Sequence, residues 1–287
     1  MFLVTGATGH LGGIVIENLM KKTAANEIAA LVRDESKAVD LKDKGVNIRI
    51  GDYSHMESLD QAMQGIEKVL LISGTDEANR IQQHQNVVDA AKRAGVRLIA
   101  YTSRFLKDPD ASANNLMDGH FKTEALFKES GLTYALFQNA LYMDSLPLFL
   151  GGERVFETGI MIPAGHGKVA YALRLDLGEA IAKVMLGDVS ESHIYKLTAS
   201  EAWSFDDVAA TLRELSGKKI DYVPIDRPTF EAQMSKRGMA EPMYKRIGDF
   251  YGDIRDGQLD EVTSDMEAIL GRKPSSLKDG LKILFAL

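Results

Sequence analysis

Three glycines at a three-residue spacing, Gly6, Gly9 and Gly12, stand in the stretch TGATGHLGG, directly behind the apolar residues Phe2, Leu3 and Val4. A glycine-rich turn between a strand and a helix lets the backbone approach a pyrophosphate. The helix N-terminus adds free N–H donors and the positive end of its dipole. The turn running from Gly6 through Ala7, Thr8, Gly9, His10 and Leu11 to Gly12 is therefore read as a dinucleotide cradle, and a fourth glycine, Gly13, as one that eases helix packing. Spacing alone also fits a structural tight turn, since glycine serves many turns. The strand before it and the helix after it favour the cofactor.

The end of the second strand-like run decides which nicotinamide nucleotide fits. An acid there bonds the 2′-hydroxyl of NAD, whereas a basic residue pairs with the 2′-phosphate of NADP. The run ends LVRDESK, with Arg33 first and Lys37 one helical turn beyond. Asp34 between them could serve a ribose or cap the next helix, its commoner use. The basic residues favour NADP(H), NADPH over NADH, with Arg33 on the phosphate. The fourth run ends LLISGTDE. Ligands in open α/β sheets lie beyond the carboxyl ends of the strands, which places Ser73, Gly74 and Thr75 beside the ribose and nicotinamide; a plain strand-ending turn is the alternative.

Such residues need a frame that gathers strand ends, and the first half of the chain has one. The runs 1–5, 28–33, 46–51, 68–73, 97–103 and 133–139 are short and apolar on both faces, as strands covered on both sides of a parallel sheet should be. Helical spacing lies between them, as in Leu11, Val15, Ile16 and Leu19, or Val87, Val88 and Ala91 before Gly95. This alternation predicts right-handed βαβ units and a doubly wound α/β sheet. After about residue 140 the rhythm changes. Residues 153–176 are glycine-rich with short β runs, 176–186 are helical and 193–199 strand-like. Residues 204–218 form a helix capped by Ser204, with Asp207 in a capping-box position and Gly217 as its stop. Short helical patterns fill 227–287. The expected organisation is a nucleotide-binding domain over 1–150, with later segments returning to it, and a smaller, mixed, mainly substrate-binding domain over 151–287.

Composition narrows the function classes. The formal charge of −7 argues against a nucleic-acid partner, which needs a concentrated basic face. No apolar run is long enough to cross a membrane. The absence of cysteine removes disulfides, thiolate metal ligands and thiol catalysis. The opening MFLVTGATG is too short for a signal peptide and runs straight into the glycine turn, so a cytoplasmic location is expected.

The turn TGATGHLG resembles that of the short-chain dehydrogenase/reductase superfamily, in its extended and atypical members. That resemblance implies an acid beside the adenine after the third strand, in GDYS, so Asp52 is an expected adenine contact, with an Asx turn as its alternative. It also implies a Tyr-x-x-x-Lys pair, the lysine lowering the tyrosine pKa for proton transfer. None of the nine tyrosines has a lysine four residues on. In the helix expected to carry the pair, within 115–134, Asp118 stands four before Lys122. Carbinol dehydrogenation and epimerisation are thereby disfavoured, while hydride transfer to an acceptor needing little proton assistance is not.

The stretches TGATGHLGG, LVRD, GDYS, LLISG, HQNVVDAAKRAGVRLIAYTS, GHFKTEALFKESGLTYALFQNALY and AWSFDDVAATLRELSGKK together resemble the NmrA-like atypical branch, and within it the NAD(P)H:quinone oxidoreductase and triphenylmethane reductase groups. The resemblance covers residues 1 to about 220. It implies a Rossmann domain with a small C-terminal substrate domain, NADPH preference, and direct reduction of quinone or dye-like acceptors, small planar aromatic molecules. It further implies a loop QNALYMDSLP (138–147) closing over the nicotinamide. Asn139 could fix the carboxamide or the loop, and Leu141, Tyr142 and Met143 could wall the acceptor or form domain-interface core. His120 and Glu124 share a helix face, yet without a third ligand no metal is expected. The resemblance sets them near the substrate cleft, where His120 could donate to a quinone oxygen or merely line the pocket. Arg174 could order the cofactor loop, and Asp176 is expected as an N-cap. A monomer or homodimer is expected. A non-catalytic NADP(H)-binding redox sensor of NmrA type is the competing function.

Overall fold

The computed structural model describes residues 1–112 and 118–287. Asn115 to Met117, with which the predicted helix after the fifth strand would open, lie outside the described residues. The rest form two compact units.

The first unit holds Met1–Arg104, Asp118–Asn139 and Arg174–Lys196. Strands and helices alternate through it: β1 (Phe2–Val4), α1 (His10–Met20), β2 (Ile28–Val32), α2 (Val39–Asp43), β3 (Asn47–Ile50), α3 (Met56–Ala62), β4 (Lys68–Leu71), α4 (Arg80–Arg93), β5 (Leu98–Arg104), α5 (Asp118–Glu129) and β6 (Thr133–Asn139). The chain later returns to it with α8 (Arg174–Leu186) and β9 (His193–Leu197). The strands lie in the order β3-β2-β1-β4-β5-β6-β9. The pairings from β3 across to β6 are all parallel. The order reverses at β1, and the crevice between β1 and β4 is where such a sheet receives a ligand.

The expected burial of both strand faces holds for β2 and β4, whose residues are all buried. It fails for β3, an edge strand with Ile50 about half exposed. One helical layer brings Leu59, Met63, Val87, Ala91 and Phe127 against Leu3, Val69, Ile99 and Leu136. On the other, α8 crosses α1 at Gly178, where a Cβ would overlap the Ile14 Cγ2 methyl. The glycine that eases helix packing is therefore Gly178. A Cβ on Gly13 would meet nothing nearer than the Ala7 carbonyl oxygen at 4.0 Å.

The second unit holds residues 105–112, Ala140–Leu173 and Leu197–Leu287. It contains α6 (Leu146–Leu150), α7 (Val155–Thr158), β7 (Ile160–Ile162), β8 (Lys168–Val169), β10 (Trp203–Ser204), α9 (Phe205–Ser216), β11 (Tyr222–Pro224), α10 (Arg227–Lys236), α11 (Glu241–Arg255), α12 (Asp265–Leu270) and α13 (Leu277–Phe285). Two small sheets pair β7 with β11 in parallel and β8 with β10 antiparallel. Helix α9 carries the predicted capping box, Ser204 with Asp207, and stops at Gly217 in the left-handed conformation. Among the described residues no helix is long and apolar enough to cross a membrane.

Candidate functional site

The glycine turn grows directly out of β1. The Thr5 amide extends the ladder by donating to the Leu70 carbonyl at 3.0 Å. The chain then reverses at Gly6, whose φ of 58° is strained for any side chain. Gly9 is the extended N-cap of α1 and makes no side-chain cap bond. The first bond into the helix runs from the Gly13 amide to the Gly9 carbonyl, 2.9 Å. The amides of His10, Leu11 and Gly12 precede that bond and have no helical acceptor. Three free donors at the positive end of a helix dipole, beside exposed Gly6 and Gly9, fit a pyrophosphate. Thr8 and His10 are exposed around them, whereas Ala7 and Leu11 are buried and offer the ligand only their backbone.

Gly12 has a second job beside the one its spacing suggests. A Cβ there would overlap the Gly6 carbonyl oxygen and come within 2.9 Å of the Gly6 carbonyl carbon and 3.0 Å of the Ala7 Cα. Its missing side chain admits the turn's own backbone, and so shapes the cradle from behind.

At the end of β2, Asp34 caps the chain that follows it. Its Oδ1 accepts from the Ser36 amide at 3.0 Å and the Ser36 hydroxyl at 2.7 Å, capping the short helical turn that follows. These bonds hold the carboxyl below its ordinary pKa. Arg33 and Lys37 are exposed, and among the described residues the side chain of neither makes a hydrogen bond or an ion pair. The basic groups are thus available for a phosphate, and the acid is engaged. Asp52 likewise closes an Asx turn, its Oδ1 accepting from the Ser54 amide at 2.7 Å. Tyr53 next to it braces the crevice, its hydroxyl 2.5 Å from Thr5 Oγ1 and 3.1 Å from the Ile72 carbonyl oxygen. The Ile72 amide in turn donates to Thr5 Oγ1 at 2.9 Å, tying the ends of β1 and β4 together.

The loop after β4 is a built feature. Ser73 donates its amide to Thr102 Oγ1 on β5 at 3.0 Å. The Gly74 amide donates to His84 Nε2 at 3.2 Å, and the Gly74 carbonyl accepts from Arg80 Nε, also at 3.2 Å. Since Nε2 of His84 accepts, its proton sits on Nδ1, which donates to Thr123 Oγ1 of α5 at 2.9 Å; the Thr123 hydroxyl donates in turn to the Gly119 carbonyl at 2.7 Å. Burial, and then the nearby Arg80 charge, push the His84 pKa down to about 3. The relay runs in one direction and holds Gly74 rigidly, while Thr75 beyond it is exposed. Gly119 makes room for Arg80, because a Cβ there would stand 2.8 Å from its Nη1.

His120 and Glu124 do not form a metal pair. The Glu124 carboxylate is buried and accepts from Ser103 Oγ at 2.6 Å and Gln138 Nε2 at 3.0 Å, with Lys128 3.6 Å away. His120 turns its Nδ1 to the Tyr101 hydroxyl, 2.9 Å away. Among the described residues no three His, Asp or Glu side chains converge as metal ligands. Asp118 and Lys122, at the spacing of the missing pair, are both exposed. Asn139 is buried at the end of β6, in register with Arg104. Arg174 opens α8, which puts buried Asp176 inside its first turn, not at the expected N-cap. Leu141, Tyr142 and Met143 belong to the second unit. There Tyr142 bridges to Ala172, and Met143 is fully buried with its sulfur against Gly280 of α13.

Sequence reasoning missed Tyr53, Arg80, His84, Tyr101 and Thr102. A signal was present for Tyr101 and Thr102: polar groups at the carboxyl end of an otherwise apolar run, in IAYTS, stand where a parallel sheet meets its ligand. Arg80 and His84 carry no such mark, because their spacing on a helix is ordinary.

Comparison with known proteins agrees with this geometry. The model of the NmrA-like family matches residues 1–279. Quinone oxidoreductase 2 of Escherichia coli (strain K12) is 36% identical over 286 residues, covering 99% of each chain. The crystal structure of Citrobacter sp. triphenylmethane reductase complexed with NADP(H) has a TM-score of 0.91 at 36% identity, covering 99% of this chain and 100% of that one. That of the NADPH-dependent quinone oxidoreductase from Escherichia coli, complexed with NADPH, gives 0.89 at 35% identity with the same coverage. With a doubly wound sheet, an uncapped glycine turn and a family match over almost its whole length, the chain belongs to the NmrA-like family.

Proposed function

We propose that this NAD(P)H-dependent oxidoreductase prefers NADPH and reduces quinones or conjugated, dye-like acceptors by placing hydride donor and acceptor together. One observation carries the cofactor preference: the side chains of Arg33 and Lys37 make no hydrogen bond or ion pair among the described residues, while Asp34, the acid that would select a ribose hydroxyl, is bound to Ser36. The acceptor class is supported by the relatives, a quinone oxidoreductase and a triphenylmethane reductase.

The free amides of His10, Leu11 and Gly12 would hold the pyrophosphate, and Arg33 with Lys37 the 2′-phosphate. The loop Ser73–Gly74, clamped by Arg80 and His84, would border the nicotinamide side. NADPH, when bound, supplies a hydride, two electrons and one hydrogen; a quinone completes its reduction with one proton from water. The chain's part is orientation and electrostatics, in keeping with the missing Tyr-x-x-x-Lys pair. A cytoplasmic monomer or homodimer goes with this reading.

Loss of NADPH absorbance, followed with a panel of small quinones and triphenylmethane dyes, tests it. Turnover with at least one class is expected, faster with NADPH than with NADH. Tight NADPH binding without turnover of any acceptor would overturn it in favour of a redox sensor.

A further inference from the structure

Two histidines flank the crevice, and their bonds give them opposite tautomers. His84 is held with its proton on Nδ1, as its bond from the Gly74 amide requires. His120, on the first turn of α5, presents Nδ1 to the Tyr101 hydroxyl at 2.9 Å. That hydroxyl also lies 3.4 Å from Ser73 Oγ and interacts with the Thr123 hydroxyl, which itself donates to the Gly119 carbonyl. Tyr101 is fully buried, and its phenol is pushed up to about 12, first by burial, so it keeps its single proton at neutral pH. An imidazole nitrogen is a stronger acceptor than a hydroxyl oxygen, and His120 Nδ1 is nearer than Ser73 Oγ, so the phenol donates to His120 Nδ1.

That bond leaves the His120 proton on Nε2, which has no partner among the described residues, on a side chain that remains partly exposed. The groups around the ring keep it neutral. Burial lowers its pKa most, followed by the charges of Arg104 on β5 and Arg80 on α4, with His84 adding to them. Glu124, one turn along α5, is turned to Ser103 and Gln138. The result is a neutral N–H donor at the carboxyl ends of β4 and β5, where an open α/β sheet binds its ligands.

We propose that His120 Nε2–H is the hydrogen-bond donor to the acceptor oxygen on which negative charge grows during quinone reduction, and that Tyr101 is a positioning residue that holds His120 in that tautomer. This rests on the reductase reading above. No proton leaves His120: the bond stabilises the hydroquinone monoanion, and the last proton comes from water. A triphenylmethane cation makes no such demand, since hydride reaches its central carbon and cancels a positive charge without creating an oxygen anion. The dyad therefore separates the two acceptor classes.

The test compares His120→Phe, His120→Gln and Tyr101→Phe in NADPH-dependent turnover of a small benzoquinone and of a cationic triphenylmethane dye. Loss of an oxyanion donor costs about 100-fold, so His120→Phe should lower kcat/KM for the quinone by about that factor, and Tyr101→Phe by about 10-fold. His120→Gln, which keeps an N–H, should recover part of the loss. Dye turnover and NADPH affinity should stay within about twofold of wild type, which also reports intact folding. Nitrogen-15 NMR of the ligand-free protein supplies a readout apart from activity: His120 should show a protonated Nε2 in wild type and a mixture of tautomers in Tyr101→Phe. Equal losses with both acceptors, unchanged quinone turnover, or a protonated Nδ1 in wild type would each overturn the proposal. Wild-type protein that turns over neither acceptor would overturn the reductase reading instead, with the tautomer still measured by NMR.

Discussion

Replacing Arg33 by alanine isolates the contact proposed to select the nucleotide. Among the described residues its guanidinium bonds to nothing, and it stands exposed at the end of β2. The substitution therefore breaks no bond in the free protein, and thermal stability should stay within about 0.5 kcal/mol of wild type, as for surface changes generally. The cost should fall on binding. A hydrogen bond to a charged group contributes about 1.5–3 kcal/mol, and each 1.4 kcal/mol or so is tenfold in affinity, so NADPH should bind about 10- to 150-fold more weakly. Lys37 nearby still attracts the phosphate and solvent screens an exposed pair, which favours the lower end of that range. NADH, lacking the 2′-phosphate, should change by less than about twofold. Calorimetric titration of both nucleotides at low and moderate salt measures this directly, with the NADPH loss larger at low salt. Equal changes for the two nucleotides, or none for NADPH, would refute the assignment. Asp34→Ala is the companion experiment: loss of the cap to Ser36 should lower stability slightly and leave NADH affinity unchanged. A marked fall in NADH affinity would mean that the acid serves a ribose after all.

Gly12→Ala should destabilise the protein by about 1–3 kcal/mol, through overlap with the turn's own backbone, and should weaken NADPH by distorting the amides of His10 and Leu11. Gly13→Ala, with its nearest neighbour 4.0 Å away, should be neutral or stabilise by up to about 1 kcal/mol. Thermal melts with a nucleotide titration distinguish the pair, and equal effects would contradict the packing argument. Acidification should expose His84. Its pKa falls from the ordinary 6.5 to about 3 in the folded protein, so between those values the unfolded chain binds the extra proton. Stability is then full above about pH 6.5 and declines as pH falls toward 3. His120 shifts in the same direction. Denaturation midpoints measured from pH 7 to pH 4 should fall less steeply in His84→Gln than in wild type, and parallel curves would refute the buried neutral state.

The amino-acid sequence by itself determined the doubly wound sheet and the glycine turn proposed to hold a pyrophosphate, because both are written in short segments. Apolar runs of strand length alternating with helical spacing allow few other packings, and TGATGHLGG carries its turn, its helix start and its free amides within nine residues. It also carried the capped α9 and the loss of the Tyr-x-x-x-Lys pair, which are matters of spacing along one segment. Tertiary structure decided the rest. Whether Asp34 faces a ribose or Ser36 depends on a carboxylate choosing between partners a few ångströms apart. Gly12 and Gly178 owe their roles to backbone and side chains brought close only by folding. The crevice network assembles Thr5, Tyr53, Ser73, His84, Tyr101 and His120 from separate strand ends and helices, and parallel strands joined by long crossovers bring such residues together at one edge. Hydrogen bonds formed across those crossovers set each tautomer and each pKa, and no spacing along the chain encodes them.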